Sequence, residues 1–183
     1  IFVFIFNKLA AVNKYFPTLK YSEILDYIYT KLPMFQRSGP AAYKDNLDNT
    51  LLLDRYYGNS HQKFKSIHVA GTNGKGSVSH MLAAVFQKAG YKTGLYTSPH
   101  LKDFRERIRI NGEMVSREFV VDWIEKFRMD NERWKIEPSF FELTVIMAFD
   151  YFAREKVDMA IVEVGLGGRL DSTNIISPEL SVI

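Results

Sequence analysis

Hydrophobic positions along the chain follow two periods, and their order predicts a mixed α/β fold. An apolar run at 67–70 leads into a glycine-rich segment, after which apolar residues recur at helical spacing. These helical positions are Val78, Met81, Leu82, Val85 and Phe86. The segment 159–162 is apolar at every position, as is typical of a central parallel strand. Segments 93–97 and 180–183 are further predicted strands, so the pattern favours a mostly parallel sheet flanked by helices.

Two amphipathic helices are predicted ahead of this sheet. The first has Ser22 as its expected N-cap and apolar residues on one face up to Leu32, and Pro33 ends it. The second covers 47–57 and closes at Gly58, a residue type common at helix ends. Between the two helices lies a loop marked by glycine and proline.

A β-hairpin is the strongest local signal in the middle of the chain. Ile108 and Ile110 alternate with polar residues, and an Asn111-Gly112 pair follows, as a tight hairpin turn requires. Ser116 then caps a predicted helix. Its inner face consists of Phe119 or Val120, Ile124 and Phe127. The segment 129–135 is predicted to be a polar connector.

A second cap signature precedes a largely apolar helix at 143–152. Ser139 and Glu142 have the spacing of a capping box, in which each side chain satisfies a free amide of the other residue. Glu142 is thus either structural or directed at a ligand. The neighbouring Phe140 and Phe141 either fill the core or stack on an aromatic ligand.

The glycine-rich segment 71–77 predicts a phosphate site. Glycines allow the backbone to approach an anion closely, and the helix that follows directs its positive end at the same place. Lys75 supplies a mobile positive charge, and Ser77 supplies a hydroxyl for phosphate or hydrated Mg²⁺. The generic Walker pattern fails, because Val69 and Gly76 occupy positions that it reserves for Gly and for Ser or Thr. The alternative is a glycine-rich turn without a ligand.

Polar residues follow the predicted strands at the edge where ligands of open α/β sheets bind. Glu163 ends the apolar run 159–162, and a carboxylate there is costly to bury unless it is paired or bound to metal. The alternative is an acid that caps the following glycine turn. Ser98 and His100 follow the strand at 93–97, and we expect both to face the cleft that contains Lys75. A plain Ser-Pro turn would explain the same residues.

The amino-acid composition limits the classes of protein to which the chain can belong. The 183 residues are 46% hydrophobic and 25% charged, with a net charge of +3, which fits one globular domain. No run of Lys and Arg interleaved with aromatics indicates nucleic-acid binding. The apolar stretch 1–6 is too short to span a membrane. The absence of cysteine excludes disulfides and thiolate chemistry and is consistent with a cytoplasmic protein.

Three strings give the chain a family resemblance. GTNGKGS, TSPHL and VEVGLGGRLDSTN resemble the folylpolyglutamate and dihydrofolate synthases of the Mur ligase superfamily. The resemblance begins near Tyr21 and implies an N-terminal ATP-binding domain of P-loop NTPase type at 21–183, with 1–20 as an extension outside it. It also implies that this domain stops short here. A further Mg²⁺-binding histidine, a carbamylated lysine and a C-terminal glutamate-binding domain are expected beyond Ile183.

The resemblance implies roles for particular residues. ATP is expected at Thr72, Asn73, Gly74, Lys75, Gly76 and Ser77. Mg²⁺ is expected at Ser98 and Glu163, and Lys75 and Glu163 are the expected catalytic residues. The pteroate part of the substrate is expected at Phe140, Phe141, Glu142, Leu143, Leu170, Asp171 and Ser172. Tyr43 and Lys44 match the family loop near the pterin only loosely.

The implied activity is ATP-dependent ligation of L-glutamate to a folate, or to dihydropteroate, through an acyl phosphate. A monomer is the form expected from the resemblance. A fragment of this length is expected to be inactive alone. Two alternatives stay open: a peptidoglycan Mur-type amino-acid ligase and a non-catalytic nucleotide-binding module.

Overall fold

A computed structural model describes residues 20–34 and 46–183. Five helices lie in these ranges: α1 (Tyr21–Lys31), α2 (Asp48–Tyr56), α3 (Lys75–Lys88), α4 (Arg117–Trp134) and α5 (Phe140–Arg154). Six strands form one sheet: β1 (Lys65–Val69), β2 (Thr93–Tyr96), β3 (Ile108–Ile110), β4 (Glu113–Met114), β5 (Met159–Glu163) and β6 (Leu180–Val182). Short 3₁₀ turns lie at Ser60–Gln62, Phe104–Arg107 and Ser172–Ile175.

The sheet has the order β4-β3-β2-β5-β1-β6. The four strands β2, β5, β1 and β6 are parallel, and β3 and β4 add an antiparallel hairpin at one edge. Val69 pairs with Glu163, so the loops after β1 and β5 leave the sheet at the same edge. The predicted α/β fold, with a mostly parallel sheet, flanking helices and a hairpin, is confirmed.

The two faces of the sheet have separate cores, because successive strand residues point to opposite sides. Ala160 and Val162 of β5 pack with α1, α2, α4 and α5 in a large cluster. Met159 and Ile161 pack on the other face with residues of β1, β2 and α3 in a small one. We refer to these as the four-helix face and the α3 face.

Two short local features, a hairpin turn and a helix cap, have the structure that the sequence predicts. Asn111 and Gly112 both have positive φ, of 50° and 83°, and connect β3 to β4. Ser139 accepts a hydrogen bond from the Glu142 amide, and Glu142 Oε2 accepts one from the Ser139 amide at 2.6 Å. The predicted hairpin turn and capping box are therefore confirmed.

The predicted start of α1 is wrong by two residues. Lys20, not Ser22, is the N-cap, and its backbone amide donates to Glu23 Oε2 at 2.7 Å. Because a glutamate in the first turn satisfies this amide, the helix begins without a serine cap.

The segment 129–135 is not a connector, since α4 continues to Trp134. Lys126 and Asp130 form an ion pair one turn apart, and the Trp134 ring stacks on Tyr56 with the centroids 4.1 Å apart. A polar sequence therefore stays helical because its last turn packs on α2. Helix α4 ends at Trp134, and its C-cap Lys135 adopts a left-handed conformation.

Two predictions fall on residues outside the described ranges, namely the extension 1–20, of which only Lys20 is described, and the loop between the first two helices, with Tyr43 and Lys44. Within the described ranges, no helix combines the length and apolar character needed to cross a membrane.

Candidate functional site

The glycine-rich loop lies between β1 and α3, in the strand–loop–helix setting that its sequence predicts. Gly71 and Gly74 both have positive φ, of 138° and 80°, and Gly74 is the N-cap of α3. The loop residues 71–74 are exposed. Amides at the start of a helix have no acceptor within the helix, so the first turn of α3 offers donors to an anion.

Lys75 folds back over its own loop. Its Nζ donates to the carbonyl oxygen of Gly71 at 2.9 Å. The side chain is half-buried and can exchange this carbonyl for a phosphate oxygen, because a lysine stem rotates freely. Ser77, two residues later, is exposed on the first turn of α3.

Glu163 lies directly beneath the first turn of α3. A methyl group built on Gly76 would lie 3.6 Å from Glu163 Oε1. The positive charge of Lys75 also acts on this carboxylate. Lys75 and Glu163 therefore lie close together at one edge of the sheet, as predicted.

The Glu163 carboxylate is buried, and few polar groups compensate for its loss of hydration. Its side chain is 4% exposed, and Oε2 accepts one hydrogen bond, from the Ser98 amide at 3.0 Å. Burial raises the pKa of Glu163, while the Ser98 amide and the charges of Lys75, His80 and Arg107 act in the opposite direction. Such a site favours the binding of a cation.

The turn at 97–100 divides its residues between two environments. Ser98 lies beside Glu163, as predicted. His100 does not face the Lys75 cleft: its Nδ1 accepts a hydrogen bond from Arg107 Nε at 2.8 Å, and its Nε2 lies 3.3 Å from the Tyr29 hydroxyl. The expectation for His100 is wrong because the turn directs it toward α1 on the four-helix face.

The stretch 140–143 opens α5, and its members differ in exposure. Phe140, Glu142 and Leu143 are buried, with Phe140 stacked on Tyr29 and Glu142 engaged in the capping box. Phe141 is half-buried and lies against Gly165, where an added methyl group would be 2.4 Å from Phe141 Cζ. Phe141 is therefore the member of this stretch that borders the loop after β5.

Asp171 closes the loop that follows β5. Its Oδ2 accepts a hydrogen bond from the Leu166 amide at 2.7 Å, and its Oδ1 accepts from the amide and the hydroxyl of Thr173. Burial raises the pKa of Asp171, and these hydrogen bonds act in the opposite direction. Leu170 is half-buried and Ser172 is buried. The carboxylate thus gives the loop its shape.

His68 and Thr173 belong to this network and were missed in the sequence. His68 lies in β1, and its Nε2 is 2.8 Å from Thr173 Oγ1. Since the Thr173 hydroxyl donates to Asp171, His68 Nε2–H is the donor to Thr173. Burial lowers the pKa of His68. An isolated histidine in an apolar strand gave no signal for this contact, which links residues 105 positions apart.

Comparison with known proteins shows which proteins this chain is similar to. No family model matches the chain. A folylpolyglutamate synthase from Arabidopsis thaliana is 45% identical over 119 residues, which are 63% of this chain and 19% of the relative. A dihydrofolate synthase/folylpolyglutamate synthase from Bacillus subtilis is 42% identical over 132 residues, 69% of this chain and 30% of the relative. The chain is homologous to the folylpolyglutamate and dihydrofolate synthases.

Solved structures of folylpolyglutamate synthases share the fold. The Thermotoga maritima enzyme has a TM-score of 0.76 and 45% identity, over 86% of this chain and 36% of that one. A folylpolyglutamate synthase in complex with AMPPCP and folate has a TM-score of 0.77 and 34% identity, over 89% of this chain and 39% of that one. The chain thus spans well under half the length of these synthases.

Proposed function

We propose that this chain is the nucleotide-binding part of a ligase that joins L-glutamate to a folate, to dihydropteroate, or to both, at the expense of ATP. Homology to synthases of this kind and the complex of one of them with AMPPCP and folate support the proposal. The observation that carries it is the common edge of the glycine-rich loop and the buried Glu163.

The nucleotide is assigned to the loop Thr72–Ser77 and the first turn of α3. Backbone amides there would bind the phosphates, and Lys75 would leave the Gly71 carbonyl for the γ-phosphate. The positive charge then opposes the charge that develops on the phosphoryl oxygens during transfer, which is the main demand of this chemistry.

Mg²⁺ is assigned to Glu163 and Ser98. The residues fit this ion, because a buried carboxylate with one hydrogen bond and a neighbouring hydroxyl are the hard oxygen ligands that Mg²⁺ prefers. No group of three or more His, Asp or Glu side chains that could hold a metal occurs in the described ranges. The other ligands would come from the nucleotide, from water and from the histidine expected beyond Ile183. Bound there, the ion would neutralise charge on the phosphates.

The folate is assigned to the four-helix face, beside Phe141 and the loop at 165–172. The half-buried Phe141 ring could stack on an aromatic group, and Leu170 and Ser172 belong to the same loop. Phe140, Glu142 and Leu143 are assigned an indirect part, since their buried side chains fix the start of α5 and with it Phe141. Asp171 shapes the loop through its hydrogen bonds.

Two steps complete the reaction. A carboxylate oxygen of the folate attacks the γ-phosphorus of ATP, the bond to the β-phosphate oxygen breaks, and an acyl phosphate and ADP form. The amine of L-glutamate then attacks the acyl carbon, phosphate leaves with the bonding electrons, and an amide remains once the nitrogen loses a proton. We also propose a monomer, on the family resemblance, and a cytoplasmic location, with which the absence of cysteine is consistent.

Replacing Lys75 by Ala in the full-length gene product tests the proposal. We expect kcat to fall by about a hundredfold or more, because one preorganised positive charge at the transferring phosphoryl group is lost. ADP release that depends on both a folate and L-glutamate is the measurement. Lys88→Ala is the matched control, since Lys88 is exposed at the far end of the same helix.

The same assay separates the alternatives. A peptidoglycan Mur-type ligase would release ADP without regard to pterins, and a nucleotide-binding module would bind ATP without releasing ADP. Either result, or near-normal turnover of Lys75→Ala, would refute the proposal.

A further inference from the structure

Arg107 is a buried cation that the proposed chemistry leaves without a role. It ends the 3₁₀ turn that precedes β3, and its side chain is 3% exposed. None of the ion pairs within residues 20–34 and 46–183 includes it. Its charge acts on the Glu163 carboxylate, but the two groups form no ion pair, so its contacts with neutral groups must help to stabilise the buried guanidinium.

Those contacts hold both ends of one turn. The Arg107 carbonyl oxygen accepts a hydrogen bond from the Thr97 amide at 3.1 Å, and Arg107 Nε donates to His100 Nδ1 at 2.8 Å. The guanidinium carbon lies 5.0 Å from the centroid of the Phe140 ring, over its face. Arg107 therefore connects the first and last residues of the turn 97–100 to the buried start of α5.

The hydrogen bond from Arg107 also determines the tautomer of the His100 ring. Arginine nitrogens only donate, so Nδ1 is the acceptor and the ring proton is on Nε2. Nε2–H then faces the Tyr29 hydroxyl of α1 at 3.3 Å. His100 is thereby held from both sides, by Arg107 and by α1.

Ser98 lies inside the segment that is held in this way. Its amide donates to Glu163 Oε2 at 3.0 Å, which brings the turn onto the buried carboxylate. A shift of the turn would change both this hydrogen bond and the place of the Ser98 hydroxyl.

We propose that Arg107 is a positioning residue, which fixes the turn 97–100 through Thr97 and His100 and so keeps Ser98 at Glu163 for the binding of Mg²⁺ and nucleotide. This inference rests on the proposed nucleotide and Mg²⁺ site but not on the folate or on glutamate transfer. Residues that orient the ligands of a metal typically contribute about ten- to a hundredfold to its affinity.

Arg107→Met in the full-length gene product tests the role, with Arg105→Met as the matched control. Arg105 lies on the same 3₁₀ turn, but it pairs with Asp103 at 2.8 Å and faces the Tyr21 ring. Calorimetry with AMPPCP, in the presence and absence of Mg²⁺, gives the affinity. We expect Arg107→Met to weaken Mg²⁺-dependent binding at least about tenfold. Arg105→Met should match the parent protein within about twofold, because the half-buried Arg105 side chain contacts Asp103 and Tyr21 rather than the turn 97–100.

Nitrogen NMR of the His100 ring at pH 8 gives a readout independent of nucleotide. The parent protein should show a proton on Nε2 and a hydrogen-bonded Nδ1, and Arg107→Met should lose the Nδ1 hydrogen bond while Arg105→Met keeps it. A role in stability alone would lower the melting temperature of Arg107→Met without changing its affinity for Mg²⁺ and AMPPCP.

A second pair of variants applies if Arg107→Met does not fold. His100→Asn retains an acceptor near the place of Nδ1, whereas His100→Leu leaves Arg107 Nε unpaired. We expect His100→Asn to bind Mg²⁺ and AMPPCP at least about fivefold more tightly than His100→Leu, since an unpaired buried donor on Arg107 would disturb the turn that it holds.

Equal affinities within either pair of variants would overturn the inference. A parent protein that binds Mg²⁺ and AMPPCP without folate-dependent ADP release would refute the proposed function, whereas the variants would still decide the role of Arg107.

Discussion

The two faces of the sheet differ in how much structure covers them. On the four-helix face, aromatic and aliphatic residues from four helices bury one another, among them Trp123, Phe127, Phe149 and Phe152. On the α3 face, one helix of the described chain packs on Ile67, Val69, Leu95, Met159 and Ile161. That helix leaves Met81 64% and Val85 63% exposed.

The difference matches the chemistry assigned to each face. Phosphate binding needs backbone amides and a mobile lysine at the start of α3, and an exposed loop provides both. The four-helix face instead contains polar side chains held in buried networks, His68 with Thr173 and Arg107 with His100. The proposed folate site would need such rigid support, because the side chains of a binding site must keep their orientation.

The largest effect of a substitution on stability is expected in the core of the four-helix face. Phe149→Ala should lower the free energy of unfolding by about 3–5 kcal/mol, because it removes a ring that is fully buried and packed edge-on against Phe64. Chemical unfolding followed by circular dichroism measures it. A loss below about 1 kcal/mol would contradict the description of this face as the main core.

An intermediate effect is expected at Gly165. Gly165→Ala would place its methyl group 2.4 Å from Phe141 Cζ and 3.0 Å from Asp171 Oδ2, so the ring or the loop must move. Overpacking of this kind costs about 1–3 kcal/mol, and we expect weaker folate binding by calorimetry as Phe141 is displaced. Leu166→Ala is the control on the same loop, since Leu166 is exposed. Unchanged folate affinity in Gly165→Ala would argue against a folate site at Phe141.

The buried His68 predicts a pH dependence of stability. Burial lowers its pKa in the folded state, so the unfolded chain binds the proton more readily. Stability from the neutral ring is therefore present above the ordinary histidine pKa of about 6.5 and is lost as the pH falls below it. His68→Gln retains a donor toward Thr173 and should lose less stability than the parent protein between about pH 7 and pH 5.

Thermal unfolding of both proteins at a series of pH values provides the measurement. At pH 8 the two should differ little in their pH slope, because His68 is neutral there. If the stability of both proteins changes equally between pH 7 and pH 5, His68 does not contribute to the pH dependence of stability.

The smallest effect is expected on the outer side of α3. Val85→Ser should change the free energy of unfolding by no more than about 0.5 kcal/mol, because the side chain is largely exposed and the two residues have similar helix propensities. The same unfolding assay as for Phe149→Ala applies. A loss of 1 kcal/mol or more in the full-length gene product would show that this side of α3 is covered there, and the contrast between the faces would then hold only for the described residues.

Prediction from the sequence succeeded where neighbours along the chain decide the structure. The hairpin at Asn111-Gly112 and the capping box at Ser139 involve residues that are at most five positions apart, and the glycine-rich loop depends on the strand and helix at its ends. Prediction from the sequence failed at 129–135, where the packing of Trp134 on Tyr56 keeps a polar segment helical.

The sequence by itself determined the α/β fold, the place of the glycine-rich loop and the position of Glu163 at the end of a buried strand, because hydrophobic period and glycine content are local properties. Only the tertiary structure decided that His100 turns toward Arg107, that Phe141 rather than Phe140 borders the loop after β5, and that His68 contacts Thr173. Those contacts join distant parts of the chain, and which side chain reaches which partner depends on how whole helices and strands pack.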